Sequence, residues 1–289
     1  MSVYRTFLFA PGNHPRRAEK ALSLDADAVI LDLEDACAIS EKVATRPVVV
    51  AALQKPRRGL GYVRVNAPST EYCYGDVVAV VQAGVDGIVL PKVETAGELQ
   101  TIDWLIGALE RERGLPAGGL DLLPIIETGK GLANLSSIAA AGTRVRRIAF
   151  GAGDFTLDLG ITWSRGEEEL LPYRSQFVLA SRAAGLEPPI DTVWVDLRDA
   201  EGFAASAALV KRLGFQGKLC IHPDQVPVVN ALYTPSEAEI EEARRVVAAF
   251  AEAEMQGLAS IQLDGKFIDY PIVYRAERVL ATAERIAGA

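Results

Sequence analysis

The sequence predicts an α/β protein of the (β/α)8 TIM-barrel class with a helical and hairpin extension at its C-terminal end. Three observations predict it. Short apolar runs alternate with helix-patterned segments almost from end to end, which is the signature of β/α units around a parallel sheet. The runs number eight, each with a helical partner, whereas an open doubly wound sheet, the runner-up, usually stops at about five to seven strands. Polar and charged residues collect at one end of nearly every run, the end where such a barrel builds its active site.

Each element follows in order. Thr6–Ala10 is a buried strand stopped by Pro11-Gly12, and Pro15 opens a helix over Arg16–Leu24, because its fixed φ suits the first helical turn. Ala28–Leu31 is the second strand, with a helix over Glu41–Leu53; Tyr62–Val65 is the third, with Gly75–Ala83 after it. Gly87–Leu90 and Ala96–Glu112 form the fourth unit, and the Gly/Pro-rich stretch Gly114–Gly119 is a loop. Leu122–Ile126 is followed by Leu132–Ala141, then Arg147–Phe150 by a long helix over Glu167–Ala184. Ile190–Val195 with Glu201–Leu213, and the strand Lys218–Ile221, complete the count.

Residues 1–222 are thus expected to form the barrel, and residues 223–289 a structured extension. In that extension Thr234-Pro-Ser-Glu opens a helix over Ser236–Gln256, and a last helix spans Pro271–Ile286. Between them Asp264-Gly265 separates two short apolar runs, a good hairpin signal. A chain of 289 residues allows one domain or two, but α/β barrels commonly run to about 250 residues as one.

Composition narrows the function. Thirty basic against thirty-eight acidic residues give a net charge of −8, which argues against a nucleic-acid or anionic-membrane binder, since both need a broad positive field. An anionic small molecule held by a few placed cations remains compatible. No run approaches the roughly 20 apolar residues of a membrane helix. Three widely spaced cysteines, Cys37, Cys73 and Cys220, give neither a disulfide framework nor a zinc cluster. The expected setting is reduced, soluble and cytoplasmic.

Candidate chemistry sits after the strands. Glu127 and Asp154 each directly follow a strongly apolar run. Two readings stay open on position alone: the pair shares a hard cation such as Mg²⁺, which takes one or two protein carboxylates, or each carboxylate caps the following helix. For the acidic group Asp32, Glu34 and Asp35, loop caps and ion pairs to Arg64 or Lys92 are favoured over metal ligation. Arg64 lies within the strand Tyr-Val-Arg-Val-Asn, where a charge is costly unless paired. Tyr62, Arg64 and Asn66 share one face, so Arg64 either points at a ligand or pairs with the Asp32–Asp35 group. Gly151-Ala-Gly153 lacks the rest of a dinucleotide fingerprint, and Thr128-Gly-Lys-Gly131 is not a P-loop. His14 and His222, the only histidines, have no recognisable nucleophile partner. Arg16, Arg17 and Lys20 form a basic turn, either a solvated face or a contact for phosphate. Phe9, Phe155 and Trp163 are candidates for setting the pocket size.

Several segments together resemble one family, the HpcH/HpaI aldolase/citrate lyase enzymes. They are Arg5-Thr-Phe-Leu-Phe-Ala-Pro-Gly12, Leu31-Asp-Leu-Glu-Asp35, Val63-Arg-Val-Asn66, Leu90-Pro-Lys-Val-Glu94, Ile125-Ile-Glu-Thr128, Gly151-Ala-Gly-Asp-Phe155, Asp158-Leu-Gly160 and Ile221-His-Pro223. The tail Leu263-Asp-Gly-Lys-Phe-Ile-Asp269-Tyr-Pro271 is similar to the lid of members acting on free coenzyme A thioesters, the malyl-, β-methylmalyl- and citramalyl-CoA lyases. The chain departs from the pattern at Gly153, where many relatives carry an acid, and at Cys37, where an aliphatic residue is common.

The resemblance implies Mg²⁺ at Glu127 and Asp154, Arg64 on the substrate and its enolate, and Asp32, Glu34 and Lys92 around them. It implies Asp269 as a proton carrier serving a neighbouring subunit of a homotrimer or hexamer. The implied activity is Mg²⁺-dependent carbon–carbon cleavage, or formation, of a 3-hydroxyacyl-CoA thioester, giving a 2-oxo acid and an acyl-CoA. Alternatives are a class II aldolase for free 4-hydroxy-2-oxo acids, a condensing enzyme that also hydrolyses the thioester, and a citrate lyase β subunit working on a carrier-protein thioester. A non-catalytic acyl-CoA-binding protein is a further alternative, disfavoured by the intact set of Arg64, Glu127, Asp154 and Asp269. The structured tail is expected to argue against the carrier-protein subunit, as such subunits look shorter there.

Overall fold

The computed structural model describes Tyr4–Gly288. Eight parallel strands close into a barrel in sequence order: β1 (Thr6–Pro11), β2 (Ala28–Asp32), β3 (Leu60–Arg64), β4 (Gly87–Leu90), β5 (Asp121–Ile126), β6 (Ala149–Phe150), β7 (Ile190–Asp191) and β8 (Gly217–Cys220). The expected (β/α)8 class is what forms. Helices α1 (Pro15–Leu22), α2 (Lys42–Leu53), α3 (Cys73–Val80), α4 (Ala96–Glu112), α5 (Gly129–Ala133), α6 (Leu135–Ala139), α7 (Ala152–Leu159), α8 (Leu171–Ala183) and α9 (Ala200–Leu213) connect successive strands. The chain continues through α10 (Gln225–Tyr233), α11 (Glu237–Met255), β9 (Ser260–Leu263), β10 (Lys266–Asp269) and α12 (Tyr270–Ala287).

Alternation along the strands explains the barrel interior. Phe7, Ile30, Tyr62, Val89, Leu123, Ala149, Ile190 and Leu219 form one buried cluster drawn from all eight strands, so the barrel is filled by side chains rather than hollow. The register pairs Pro11 with Asp32 and Asp32 with Arg64. These pairs set the first acidic residue and the candidate arginine side by side at the C-terminal rim.

Helix starts follow local chemistry. Pro15 opens α1. In α4 the Thr95 hydroxyl accepts from the Glu98 amide at 3.2 Å while the Glu98 carboxylate accepts from the Thr95 amide at 3.0 Å, a capping box that satisfies two otherwise orphaned donors.

Two strands are shorter than the apolar runs suggest. β6 and β7 have two residues each, where the sequence suggests Arg147–Phe150 and Ile190–Val195. Past Asp191 the chain exchanges ladder bonds for side-chain ones: Thr192 Oγ1 accepts from the Ala152 amide at 2.9 Å, and the Trp194 carbonyl accepts from Gln225 Nε2 at 3.0 Å. The first of these bonds anchors α7, a helix the sequence reading leaves out, as it also leaves out α10.

Around this part of the wall lies a buried ionic network. Arg174 donates to both oxygens of Asp191 at 2.8 and 3.1 Å and to Glu167 at 2.9 Å, and Lys218 also pairs with Asp191. All four side chains are buried. Burial opposes the Asp191 charge, but Lys218 and Arg174 outweigh it and hold its carboxyl below the usual range.

The chain divides into two compact units, one of them Tyr4–Asn230 and the other comprising residues 231–288. In the second, α11 begins in a capping box between Ser236 and Glu239. Asp264 and Gly265 both take positive φ, 49° and 78°, and turn β9 into β10 as an antiparallel hairpin. Ala243, Val246, Phe250, Ile268, Val273 and Ala276 form the core of this unit. Among the described residues no helix is long and apolar enough to cross a membrane.

Candidate active site

Arg64 closes β3 with its guanidinium clamped by acids. Nε and Nη2 donate to the two oxygens of Asp32 at 2.7 and 2.6 Å, and Nη1 lies 2.9 Å from Glu34 Oε2. Beneath it the Phe9 ring sits 4.8 Å from the guanidinium carbon, a cation–π contact that fixes the plane. Burial disfavours the charge, yet Asp32 and Glu34 raise the Arg64 pKa above its usual range. A guanidinium has five N–H groups; two donate to Asp32, which leaves N–H groups on both terminal nitrogens for a ligand oxygen.

Asp32 is anchored further by the amides of Glu34 and Ala36, each at 2.9 Å. Burial works against its charge, but Arg64 and these amides lower its pKa. Glu34 behaves oppositely: burial and the Asp35 charge push it up despite Arg64 and Lys92. The ion pairs expected for Asp32 and Glu34 therefore form. Asn66, on the same strand face, turns away past the strand end to Asp76 at 2.6 Å and Lys42 at 2.6 Å.

Lys92 bridges the two halves of the cluster. Its Nζ donates to Glu34 Oε1 at 2.8 Å and lies 3.6 Å from Asp35 and 4.0 Å from Asp154. Its backbone amide donates to Glu127 Oε1 at 2.8 Å. That amide is turned to the site by a left-handed backbone, φ 51°, a conformation costing a non-glycine residue about 1–3 kcal/mol. Burial opposes the ammonium, while Glu34, Asp35 and Asp154 raise its pKa.

Glu127 follows β5 and is only 3% exposed. Among the described residues the Lys92 amide is its one hydrogen-bond donor. Burial, then the charges of Glu34 and Asp154, push its carboxyl up to about 8 against the pull of Arg64. Gly151 makes room for it: a Cβ there would lie 2.4 Å from Glu127 Oε2 and 2.7 Å from Glu127 Cβ. Asp154, in the first turn of α7, is partly exposed.

The cluster thus holds five carboxylates, Asp32, Glu34, Asp35, Glu127 and Asp154, around two cations, Arg64 and Lys92. A divalent cation would offset that excess. The donor set is all oxygen, and no group of three His, Cys, Asp or Glu among the described residues is arranged around a metal position. This fits Mg²⁺, which completes its shell with water and substrate oxygens, and not a protein-saturated zinc site.

Of the remaining sequence candidates, Asp269 lies in the second unit, where its carboxylate accepts from the Ile272 amide at 3.3 Å and caps α12. His222 is a loop residue whose Nδ1 accepts from the Asp224 amide at 3.3 Å. Phe155 does not shape a pocket: it is fully buried against Phe150 and Tyr173. Sequence reasoning missed Gly151 as a space-maker and Phe9 as the plate under Arg64. The first carried a signal, a glycine directly after the sixth strand and facing the fifth.

A model of the HpcH/HpaI aldolase/citrate lyase family matches residues 5–223. The citrate lyase subunit beta of Leuconostoc mesenteroides subsp. cremoris is 40% identical over 281 residues, covering 96% of this chain and 93% of that protein. The L-malyl-CoA/beta-methylmalyl-CoA lyase of Cereibacter sphaeroides is 34% identical over 306 residues, covering 98% and 96%. Among solved structures, CitE of Mycobacterium tuberculosis in complex with magnesium, acetoacetate and coenzyme A superposes with a TM-score of 0.79 at 30% identity, covering 98% of this chain and 99% of that one. The coverage of the Leuconostoc subunit overturns one expectation: the tail does not separate this chain from citrate lyase β subunits, because the match to such a subunit runs nearly end to end.

Proposed function

The chain belongs to the HpcH/HpaI aldolase/citrate lyase family, and from that premise we propose that it cleaves the carbon–carbon bond of a 3-hydroxyacyl-CoA thioester, releasing a 2-oxo acid and an acyl-CoA. The observation that carries this reading is the pairing of an under-compensated carboxylate, Glu127, with a clamped arginine, Arg64, at one barrel mouth. Magnesium bound by Glu127 and Asp154 would supply Lewis-acid polarisation of the substrate hydroxyl and its adjacent carboxylate. Arg64 offers its remaining N–H groups to the oxygen that becomes an enolate, and Asp32 and Glu34 keep the fork from rotating. Pre-set donors of this kind act without reorganising during the reaction. Lys92 holds Glu34 and Glu127 in register.

Asp269 is the proposed proton carrier to the enolate carbon, delivered from a neighbouring subunit in a homotrimer or hexamer. Its support is local. Asp269 is the last residue of an exposed hairpin whose surroundings include Phe267, 67% exposed, and Tyr274, 53% exposed, apolar side chains suited to burial against another chain.

A second reading, a citrate lyase β subunit acting on a carrier-protein thioester, is favoured by the 40% identity to the Leuconostoc protein. The deciding assay offers purified protein and Mg²⁺ the malyl, methylmalyl, citramalyl and citryl thioesters of coenzyme A and of a phosphopantetheine carrier protein, and traps the 2-oxo acid. Cleavage of coenzyme A esters supports the first reading. Cleavage confined to the carrier-borne citryl ester replaces it with the second. Release of the 2-oxo acid from free 4-hydroxy-2-oxo acids alone would leave a class II aldolase.

A further inference from the structure

Gly153 has no packing reason to be glycine. It lies in the first turn of α7 immediately before Asp154, with ordinary helical geometry, and the atom nearest to an added Cβ, Trp163 Cζ3, is 4.0 Å away. Alanine would fit there and would favour the helix more. What the missing side chain leaves is an opening beside Asp154 that faces the Trp163 ring.

Trp163 is held from behind. Its indole N–H donates to Glu167 Oε1 at 3.2 Å. Glu167 is 1% exposed and takes φ 58°, a left-handed conformation. Its other oxygen accepts from Ser206 Oγ at 2.6 Å and Arg174 Nη1 at 2.9 Å. The ring is therefore tied into the buried ionic network of the barrel wall.

Trp163 also lines a cavity of about 200 Å³ whose other walls include Ser164, Trp194, Val195 and the pair Arg165–Asp199. Arg165 and Asp199 neutralise each other through two hydrogen bonds of 2.6 and 2.9 Å. The remaining lining is two indoles and a valine, which present carbon to an alkyl group, together with Ser164 and Asp196.

We infer that Trp163 is a specificity-determining residue: its ring stands between Gly153, beside Asp154, and this cavity, and so limits the length of the alkyl substituent of the 2-oxo acid, and Glu167 is the residue that positions the ring. The inference rests on the proposed function for the identity of the ligand as a 2-oxo acid.

Calorimetry on the full chain with Mg²⁺ tests it, using glyoxylate, pyruvate, 2-oxobutyrate and 2-oxovalerate as probes. Trp163→Ala joins the opening to the cavity, so the affinity ratio of 2-oxovalerate to pyruvate should rise by about tenfold, the discrimination a pocket typically draws from one or two methylenes. Trp163→Phe, which keeps a ring, should move the ratio less. Glu167→Gln retains an acceptor for the indole and should leave the ratio near that of the starting protein. An unchanged ratio in a Trp163→Ala protein that melts cooperatively and still binds pyruvate overturns the inference. So does a wild-type chain that binds none of the four acids. Should Trp163→Ala not fold, Trp163→Phe and Trp163→Leu read the same ratio, and no shift in either overturns it. The outcome is separable from the function assay: a shifted ratio with no thioester cleavage refutes the lyase and keeps the wall, and cleavage with an unmoved ratio does the reverse.

Discussion

The backbone amide of Lys92 donates to Glu127 Oε1 across the barrel mouth, 2.8 Å away, while the same residue's ammonium grips Glu34 at 2.8 Å on the other side. One residue thus sets the separation of two carboxylates that burial and neighbouring acids, Asp35 for Glu34 and Glu34 with Asp154 for Glu127, push toward protonation. The left-handed backbone at Lys92 is what lets main chain and side chain face the same centre.

Arg64→Lys is expected to lower kcat/KM by about 10²- to 10³-fold, the typical cost of removing a pre-set transition-state donor. A lysine cannot span both oxygens of Asp32 and Glu34 together. Thermal melting should shift by only a few degrees. Steady-state kinetics within threefold of the starting enzyme would remove Arg64 from the reaction.

Glu127→Gln and Asp154→Asn should each weaken Mg²⁺ binding by at least about tenfold, since even outer-shell changes commonly cost that much. Titration calorimetry measures it directly, and chelation of the unaltered protein should abolish turnover until Mg²⁺ is restored. Unchanged affinity in either variant would reassign the metal.

Gly151→Ala separates shape from charge. The new Cβ meets Glu127 Oε2 at 2.4 Å and Ile125 Cγ2 at 2.9 Å, so Glu127 must swing out of place. The expected result is a fall in activity and Mg²⁺ affinity comparable with Glu127→Gln, with a stability loss of about 1–3 kcal/mol from overpacking. Full activity by the thioester assay would contradict the placement of Glu127.

Asp191→Asn should destabilise the chain by about 3–5 kcal/mol, because it leaves the Arg174 and Lys218 charges buried without their counter-ion. The pH dependence has a definite sign. Lys218 and Arg174 outweigh burial and depress the folded-state pKa of Asp191, so its contribution is complete above the unfolded value near about 3.9 and is lost as pH falls through the lower folded value. Urea melts at descending pH should show an acid limb that is shallower in Asp191→Asn; an identical limb would exclude Asp191 as a contributor.

Arg64→Ala and Asp269→Ala chains, each inactive alone, should regain part of the activity when mixed and reassembled, if Asp269 serves a neighbouring subunit. Mixed oligomers verified by mass spectrometry that stay inactive would place both residues in one chain's site.

The barrel was legible because eight apolar runs, each followed by a chemically distinct strand end, admit few other arrangements. The pairing of Arg64 with Asp32 and Glu34 was legible as well, since a charge inside Tyr62–Val65 demands a partner. The left-handed Lys92 was not: no residue pattern marks a non-glycine residue forced into that region by its neighbours. Nor was α7, because Gly151-Ala-Gly153 reads as loop, and the bond from the Ala152 amide to Thr192 Oγ1 comes from forty residues away. Phe155, one turn into that helix, looked available for a ligand only while the helix itself was missing.

β6 and β7 share one register pair, Ala149 with Ile190, and past it the bond from the Ala152 amide to Thr192 Oγ1 ties the start of α7, which carries Asp154, to the chain beyond β7. Backbone bonds from Glu187 to the Arg146 carbonyl at 2.8 Å and from Ile190 to the Ile148 carbonyl at 2.9 Å hold the two strands themselves. The tie to α7, however, is made by Thr192, a particular residue, and beside it Asp191 joins β7 to Arg174 of α8 and Lys218 of β8. A substitution at Thr192 can therefore tilt α7, and with it the approach of Asp154, while β1 to β5 keep their ladders. The molecule confines its adjustable joint to the quarter of the wall that carries one half of its proposed metal pair.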